Sequence, residues 1–410
     1  HTCGLATGGT AYCWGSNWSG QIGDGTSGTD RTAPVAVSGG RTFTALAAGN
    51  SHTCGLATGG VTYCWGDHSS GQIGDGGTLG FGTNRTTPVA VSGGRTFTAV
   101  AAGLEHTCGL ATGGTAYCWG ANGYGQLGDG TSGTDRSTPV AVSGGRTFTA
   151  LAAGYRHTCG LISDGTAYCW GYNSSGQIGD GTSGTDRTTP VAVSGGRTFT
   201  ALVGGDAHTC GLATDGTAYC WGANWYGQIG DGTTGWSTVA PVAVSGGRTF
   251  TALAAGQSHT CGLATGGTAY CWGANTSGQI GDGTSGFGTD RASPVAVSGG
   301  RTFTALAAGM YHTCGLATGG TAYCWGGNWS GQIGDGTSGP DRISTTPMAV
   351  SGGRTFTALA AGQSHTCGLA TGGTAYCWGV NTSGQIGDRT TGWSKVCLLY
   401  TSPSPRDQRG

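Results

Sequence analysis

The sequence predicts an all-β protein, a β-propeller built from four-stranded blades. The first observation is a repeat, because the stretch His1-Thr-Cys-Gly-Leu-Ala-Thr-Gly-Gly-Thr-Ala-Tyr-Cys-Trp-Gly15 returns seven times with small changes. Successive copies begin 51, 54, 51, 51, 51, 53 and 53 residues apart, at His1, His52, His106, His157, His208, His259, His312 and His365. A period near 50 residues is typical of propellers and solenoids.

The composition favours the same fold class and excludes several functions. Of the 410 residues, 89 are glycine and only 9% are charged, and Thr, Val, Ala and aromatic residues outnumber strong helix formers. The net charge of −1 gives no basic footprint, so we expect no nucleic-acid partner. No apolar run approaches the roughly 18 residues of a membrane span, so none is expected.

Each repeat opens with a predicted β-hairpin. Two apolar runs flank a small-residue turn, which is Thr7-Gly8-Gly9 in the first copy and Ser163-Asp164-Gly165 in the fourth. A three-residue loop built on a type I turn with a closing glycine places Cys3 directly opposite Cys13. Both hairpin faces are apolar, as expected for blades that stack face to face.

This register predicts one disulfide in every copy. Free packed thiols, or metal binding by His-Thr-Cys and the second Cys, are the alternatives, although zinc ligands are usually spaced more closely. Sixteen regularly spaced cysteines out of seventeen indicate an oxidising compartment, so we expect an extracellular or cell-surface protein. The predicted pairs are Cys3–Cys13, Cys54–Cys64, Cys108–Cys118, Cys159–Cys169, Cys210–Cys220, Cys261–Cys271, Cys314–Cys324 and Cys367–Cys377.

The rest of each unit supplies a loop and two further strands. Trp14 to Gly25 is rich in turn residues, and Asp24 is expected to cap the backbone there. A polar loop with Asp30-Arg31 leads to a short strand at 34–37 and a fourth strand at 43–48. Calcium binding by Asp24 and Asp30 is an alternative, but two carboxylates per blade are few for that ion.

The pattern Ala-Ala-Gly-x-x-His-Thr-Cys-Gly-Leu…Gly-Thr-Ala-Tyr-Cys-Trp-Gly-x-Asn-x-x-Gly-Gln-Ile-Gly resembles the repeat of the regulator of chromosome condensation family. The resemblance runs from His1 to about Ser394 and implies a seven-bladed propeller, and the cysteine pair resembles the bacterial, secreted branch. The nuclear founding member is an exchange factor for a small GTPase on chromatin. A secreted bacterial relative inhibits β-lactamases through one end of its propeller. Exchange-factor activity is an alternative function, but no residue pattern here supports carrying it over.

Residues 1–394 are predicted to form the propeller, with seven complete repeats and a partial eighth from His365. A ring of seven blades is favoured, closed by the strand at 356–361 pairing with the first hairpin. Eight blades with the last incomplete is the alternative. Residues 395–410, including Cys397, abandon the repeat and resemble a translated sequencing adaptor. We therefore expect a gene fragment from environmental reads that is truncated at both ends.

The repeated histidines are poor candidates for catalysis, because a residue that occurs once per blade is structural. We expect them to bond the backbone between blades, and we expect the unrepeated His68 to be solvated in its loop. No phosphate-binding or dinucleotide fingerprint follows a strand. The sequence therefore predicts no enzyme, no cofactor and no metal site.

Two sets of positions vary between otherwise similar copies, namely the two residues before each repeat histidine and the residues after Trp-Gly. A constant scaffold with varied loops is typical of a binding surface, and drift at exposed sites is the alternative. Insertions at Leu79–Phe81, Trp236, Gly286-Phe287 and Ile343-Ser344 are expected to decorate one rim. Aromatic residues and arginine dominate interface hot spots. The candidate binding residues are therefore Trp18, Tyr124, Tyr155, Arg156, Tyr172, Trp225, Tyr226, Tyr311 and Trp329.

The predicted function is a non-catalytic scaffold that binds a protein partner. A lectin-like propeller is the alternative, in which Trp18, Trp225 and Trp329 would serve as stacking platforms for a glycan.

Overall fold

The computed structural model describes the backbone of residues 1–400 and the side chains of residues 1–392. Within this range the regular elements are β-strands in eight antiparallel sheets, and no helix is long and apolar enough to cross a bilayer. The strands are β1 Thr2–Leu5, β2 Ala11–Gly15, β3 Arg31–Ala36, β4 Phe43–Ala48, β5 His52–Ala57, β6 Thr62–Gly66, β7 Arg85–Ala90, β8 Phe97–Ala102, β9 His106–Ala111, β10 Ala116–Gly120, β11 Arg136–Ala141, β12 Phe148–Ala153, β13 His157–Ile162, β14 Ala167–Gly171, β15 Arg187–Ala192, β16 Phe199–Gly204, β17 His208–Ala213, β18 Ala218–Ala223, β19 Ser237–Ala243, β20 Phe250–Ala255, β21 His259–Ala264, β22 Ala269–Gly273, β23 Arg291–Ala296, β24 Phe303–Ala308, β25 His312–Ala317, β26 Ala322–Gly327, β27 Ile343–Ala349, β28 Phe356–Ala361, β29 His365–Ala370, β30 Ala375–Asn381 and β31 Gly392–Tyr400.

Blades and sequence repeats are offset by one strand. The last strand of each unit joins the sheet of the next hairpin, so that the second blade has the order β4-β5-β6-β7. The strands of the Phe-Thr-Ala-Leu type contact one another from blade to blade, which makes them the innermost strands around the axis. The first blade, β1-β2-β3, has three strands among the described residues.

The structure has eight blades, which matches the alternative count and corrects the favoured seven. Strand β28 pairs with β29 rather than with β1, so the ring closes by packing one blade on another rather than by a shared sheet. The eighth blade was expected to be incomplete, but β31 gives it an outer strand. Of the tail predicted at 395–410, only the backbone of 395–400 is described, and the rest lies outside the described residues.

The hairpin register is the predicted one, with Cys3 opposite Cys13. The Ala6 N–H donates to the Thr10 carbonyl at 2.9 Å, and the Gly9 N–H donates to the Ala6 carbonyl at 2.9 Å. Gly8 has a φ of 95°, which a type II turn requires at its third position, so this loop differs from the expected type I turn. In the fourth copy only Gly165 has positive φ, and there the expected type I form fits.

All eight predicted disulfides form. The two Cα atoms of each bridge are 4.1 Å apart, which is the spacing of the closer, non-hydrogen-bonded type of antiparallel pair. In the six blades from the second to the seventh both cysteines are almost completely buried. Each bridge therefore ties the two middle strands of its blade together.

The disulfide face of one blade packs on the tryptophan face of the next. Cys13 and Ile22 of the first blade lie in one cluster with Phe43 and Trp65 of the second. The Phe43 and Trp65 ring centres are 5.8 Å apart. The same cluster recurs between the following blades, so both hairpin faces are buried as the sequence predicts.

A belt of hydrogen bonds joins every blade to the next. His1 Nε2 lies 2.8 Å from Thr53 Oγ1, and the bond repeats around the ring until His365 Nε2 meets Thr2 Oγ1 at 2.9 Å. The Thr53 hydroxyl donates to the Gln21 carbonyl at 3.2 Å, so its oxygen accepts from the imidazole N–H. The histidines thus bridge blades as expected, but to a hydroxyl and not to the backbone.

Candidate binding face

Both variable sets lie at one end of the propeller. The two residues before each repeat histidine connect the inner strand to the second, and the residues after Trp-Gly connect the third strand to the outer one. Because neighbouring strands are antiparallel, these two connections leave the sheet at the same end. We call this end the variable face, and the opposite end, with the Thr-Gly-Gly and Ser-Gly-Gly-Arg turns, the turn face.

Backbone hydrogen bonds join the two variable sets within a blade. The Asp67 N–H donates to the Ser51 carbonyl at 2.9 Å, and equivalent bonds occur in the next six blades. Neighbouring blades are also linked, since the Leu104 N–H donates to the Tyr155 carbonyl at 3.3 Å. The variable residues of several neighbouring blades are therefore joined to one another around the axis of the ring.

Constant polar residues hold the long loop that displays the second variable set. Asn17 accepts from the Ile22 N–H at 3.2 Å and donates its own backbone N–H to Asp30 at 3.0 Å. Arg31 donates to Asp24 at 2.5 Å, and Thr26 donates to the same carboxylate. Burial opposes ionisation of Asp24, but these hydrogen bonds outweigh it and lower its pKa.

The carboxylates of Asp24 and Asp30 both accept hydrogen bonds from their own loop. This favours the interpretation that they cap the turn over the interpretation that they bind calcium. The ion pair is partly buried rather than exposed, because only 10% of the Asp24 side chain is accessible. Within the described residues no three His, Cys, Asp or Glu side chains converge as metal ligands.

His68 is fully buried, which corrects the expectation that it is solvated. It occupies the position of Asn17, where the second blade departs from the others. Its Nε2 lies 3.1 Å from Asp75 Oδ1, and the ring also interacts with the Gly77 backbone. Burial lowers the pKa of His68, against the opposing effect of the Asp75 charge. His68 is therefore a loop-packing residue.

Four of the predicted binding residues meet at the third and fourth blades. The Arg156 guanidinium lies 5.1 Å from the Tyr124 ring centre and 5.5 Å from that of Tyr155. Arg156 Nη1 donates to the Tyr124 hydroxyl at 3.3 Å, and the Tyr124 and Tyr172 rings stack edge to face at 4.7 Å. A cleft of about 260 Å³, which we call the mouth cleft, is lined here by Leu104, Glu105, Tyr124, Tyr155 and Arg156.

Opposite charges surround this arginine. Glu105 lines the same cleft, and Asp206 of the fifth blade interacts electrostatically with Arg156. Burial raises the pKa of Asp206, although a hydrogen bond with Gln257 and the arginine charge act against the rise. The mouth cleft thus combines aromatic surface with both signs of charge.

The other predicted residues are spread over separate blades. Trp18, on the first blade, is 70% exposed. On the fifth blade Trp225 and Tyr226 are partly exposed. On the seventh, Tyr311 and Trp329 pack against each other at 5.4 Å between ring centres. The three tryptophans of the lectin interpretation therefore do not form one platform.

Three exposed aromatic side chains were expected only as loop decoration and not as binding residues. Phe81 and Phe287 are completely exposed, and Trp236 is 73% exposed and packs edge to face on Trp225 at 5.9 Å. The signal that could have identified Phe81 and Phe287 is an insertion placed at the same point of two repeats, whereas Trp236 replaces Thr29 of the first repeat with no change of length.

Comparisons with known proteins agree with this architecture. Residues 1–301 match the RCC1-like domain, and residues 303–332, 356–385 and 319–369 match the regulator of chromosome condensation (RCC1) repeat. The chain is 28% identical over 352 residues to the ultraviolet-B receptor UVR8 of Arabidopsis thaliana, covering 83% of this chain and 78% of the receptor. It is 29% identical over 371 residues to the human E3 ubiquitin-protein ligase HERC2, covering 88% of this chain but 8% of the ligase.

Solved structures share the fold at low sequence identity. Human WBSCR16 superposes with a TM-score of 0.70 at 19% identity, over 88% of this chain and all of that one. Prp20p of Saccharomyces cerevisiae superposes with a TM-score of 0.67 at 20% identity, over 86% of this chain and 89% of that one. The repeat motif, the ring of blades and the match over residues 1–301 together show that this chain belongs to the regulator of chromosome condensation family.

Proposed function

We propose that this chain is a non-catalytic scaffold that binds a protein partner through the mouth cleft and the variable residues around it. The observation that carries the proposal is the group formed by Tyr124, Tyr155, Arg156 and Tyr172. These residue types recur at the energetic centres of protein interfaces, where their broad side chains lose little conformational entropy on binding.

The surroundings of the cleft suit a partner that carries both apolar and charged groups. Arg156 is already held by two tyrosine rings, so little ordering is left to occur on binding. Glu105 is exposed beside it and is free to meet a basic group of the partner. A protein surface offers such mixed groups over a wide area.

Relatives support protein binding as the class of activity. Prp20p of Saccharomyces cerevisiae binds Gsp1p and histones, and a second structure has Kap60 bound to yeast RCC1. The partner of this chain need not resemble any of these, because the variable residues belong to this sequence.

We further propose that the protein works outside the cell or at its surface. Eight disulfides, most of them buried, support an oxidising environment for its folding, because intracellular thiols are normally kept reduced.

The test is affinity capture from the extracellular fraction of the source material, followed by titration of the purified partner. Arg156→Ala and Tyr124→Ala should each weaken binding about tenfold or more. Arg95→Ala on the turn face is the matched control, because Arg95 also lies over a tyrosine ring and should leave binding unchanged. Loss of binding with the turn-face variant alone would overturn the proposal, and specific retention on a glycan array would favour the lectin-like alternative.

A further inference from the structure

Two loops of the variable face carry an inserted Phe-Gly pair, within a three-residue insertion in the second blade and alone in the sixth. Thr26-Ser-Gly-Thr-Asp-Arg31 of the first blade becomes Thr284-Ser-Gly-Phe-Gly-Thr-Asp-Arg291 in the sixth, a difference of Phe287-Gly288 alone. The second blade has Phe81-Gly82 at the same point. Both phenylalanines are completely exposed, at 105% and 100% of the reference accessibility.

The longer loop joins its blade at the same point as the shorter loop. The Gly28 N–H of the short loop donates to the Asn17 carbonyl at 2.9 Å, and the Gly286 N–H of the long loop donates to the adjacent Thr276 carbonyl at 3.1 Å. Both loops therefore return to the same place on the blade. A large apolar side chain added with no internal contact points to an external one.

The backbone turn that carries each inserted ring is closed by a hydrogen bond. The Thr83 hydroxyl donates to the Gly80 carbonyl at 2.6 Å, and the Thr289 hydroxyl donates to the Gly286 carbonyl at 2.8 Å. Less ordering of the loop is therefore left to occur when the side chain inserts into a partner.

Two exposed tryptophans extend the pattern around the ring. Trp18 of the first blade and Trp236 of the fifth are 70% and 73% exposed on the same set of loops. We call Trp18, Phe81, Trp236 and Phe287 the aromatic tips. In an eight-bladed ring, blades one and two lie across the axis from blades five and six. The tips therefore lie on opposite sides of the ring, at the end that carries the variable face.

The charges that flank the aromatic tips are paired within the loops. Arg31 pairs with Asp24, Arg85 with Asp75 and Arg291 with Asp282. Residues 16–23, 76–84, 232–240 and 283–289 contain no Asp, Glu, Lys or Arg, and the chain has a net charge of −1. Anionic surfaces are bound through clusters of basic residues, which these loops lack. Tryptophan and phenylalanine in neutral loops suit the boundary between lipid headgroups and acyl chains, where binding scales with the buried apolar area.

We propose that the aromatic tips insert into a neutral lipid surface and seat the propeller with its variable face toward the bilayer. A flat target is favoured because two pairs of tips on opposite sides of the ring can touch it at once. This inference goes beyond the proposed function, because it adds a lipid contact to the same face. A protein partner that is displayed at the lipid surface would still meet the mouth cleft.

The experiment is co-sedimentation of the full chain with phosphatidylcholine vesicles. Deletion of Phe287-Gly288 or of Phe81-Gly82 should each lower the partition coefficient about tenfold, and both together about a hundredfold. The first deletion recreates the loop sequence of the first blade, so the variant should fold, which its melting profile checks. Binding should be the same at low and high salt, because no charge contact drives it.

Arg156→Ala serves as the control, since it alters the mouth cleft and leaves the aromatic tips intact. Its vesicle binding should equal that of the parent chain even where its protein binding is lost. Failure of the parent chain to bind vesicles would overturn the inference, as would equal binding by the double deletion. A double deletion that weakened only protein binding would instead assign the aromatic tips to the protein partner.

Discussion

A Cβ atom on Gly103 would lie 2.2 Å from Cε1 of His106, so the backbone and the imidazole can pack here only because position 103 has no side chain. The same relationship holds between Gly49 and His52 and in the following blades. We predict that Gly103→Ala pushes the His106 ring away from Thr158 and destabilises the propeller by about 3 kcal/mol. Urea unfolding followed by tryptophan fluorescence measures the change.

Gly123→Ala is the matched control, because no heavy atom lies within 4 Å of its added Cβ and its φ is not in the left-handed region. It should change stability by less than about 0.5 kcal/mol. Equal stability of the two alanine variants would show that the joint tolerates a displaced histidine.

The histidine belt predicts acid sensitivity. Burial lowers the pKa of His52, His106 and His259 to about 3 and that of His157 and His208 to about 4, from the ordinary 6.5. The unfolded chain therefore binds more protons than the folded one below about pH 6.5. Stability is complete above that pH and falls as the pH drops toward the folded values, by up to about 1.4 kcal/mol per pH unit for each histidine.

The thermal midpoint should accordingly fall steeply between neutral pH and about pH 5. The carboxylates act in a lower window, because the pKa values of Asp24, Asp129 and Asp282 lie below the ordinary 3.8 and their contribution is lost only in stronger acid. A midpoint that stayed constant down to pH 5 would mean that the belt histidines titrate normally.

The disulfide pattern predicts a simple labelling result. Of the 17 cysteines, 16 are paired in eight bridges, which leaves Cys397, whose side chain lies outside the described residues. The denatured, unreduced chain should take up a single alkyl label by mass spectrometry. Replacing Cys210 and Cys220 together by Ala should cost about 2–3 kcal/mol, because the bridge closes a short loop. Several labels without reduction would contradict the pairing.

His68→Asn is predicted to stabilise the second blade by about 1 kcal/mol. His68 is buried where the other blades have an asparagine, whose side chain accepts from a backbone N–H of the loop, as Asn17 does from Ile22. An asparagine at 68 can accept from Ile73 in the same way and donate to the backbone of the same loop, which avoids burying an imidazole. A lower melting temperature for this variant would mean that the contact between His68 and Asp75 is favourable.

The hairpins, the disulfides and the packing of both blade faces could be predicted because local rules determine them. A three-residue loop and a side-chain period of two place Cys3 opposite Cys13, whereas a shift of one residue would put them on opposite faces. The gathering of the variable positions at one end followed from the same alternation of strand direction.

Ring size could not be predicted, because it depends on the small rotation between neighbouring blades, and every joint uses the same residues. Which aromatic residues of the variable face contact one another could not be predicted for a related reason. Trp329 is covered by Tyr311 while Trp18 stays exposed, and only the neighbouring loop decides this. His68 resembled a solvated loop residue because no local pattern shows that its position points inward.

The identical joints also mean that blades are interchangeable parts. If residues 157–207 were removed, His106 would face Thr209 instead of Thr158, and the Thr209 hydroxyl would meet the Gln126 carbonyl that Thr158 meets now. Recombination between repeats can therefore lengthen or shorten the circumference in whole units without new chemistry at any junction. Such exchange would also shuffle the displayed loops and so alter what the face recognises while the frame stays the same.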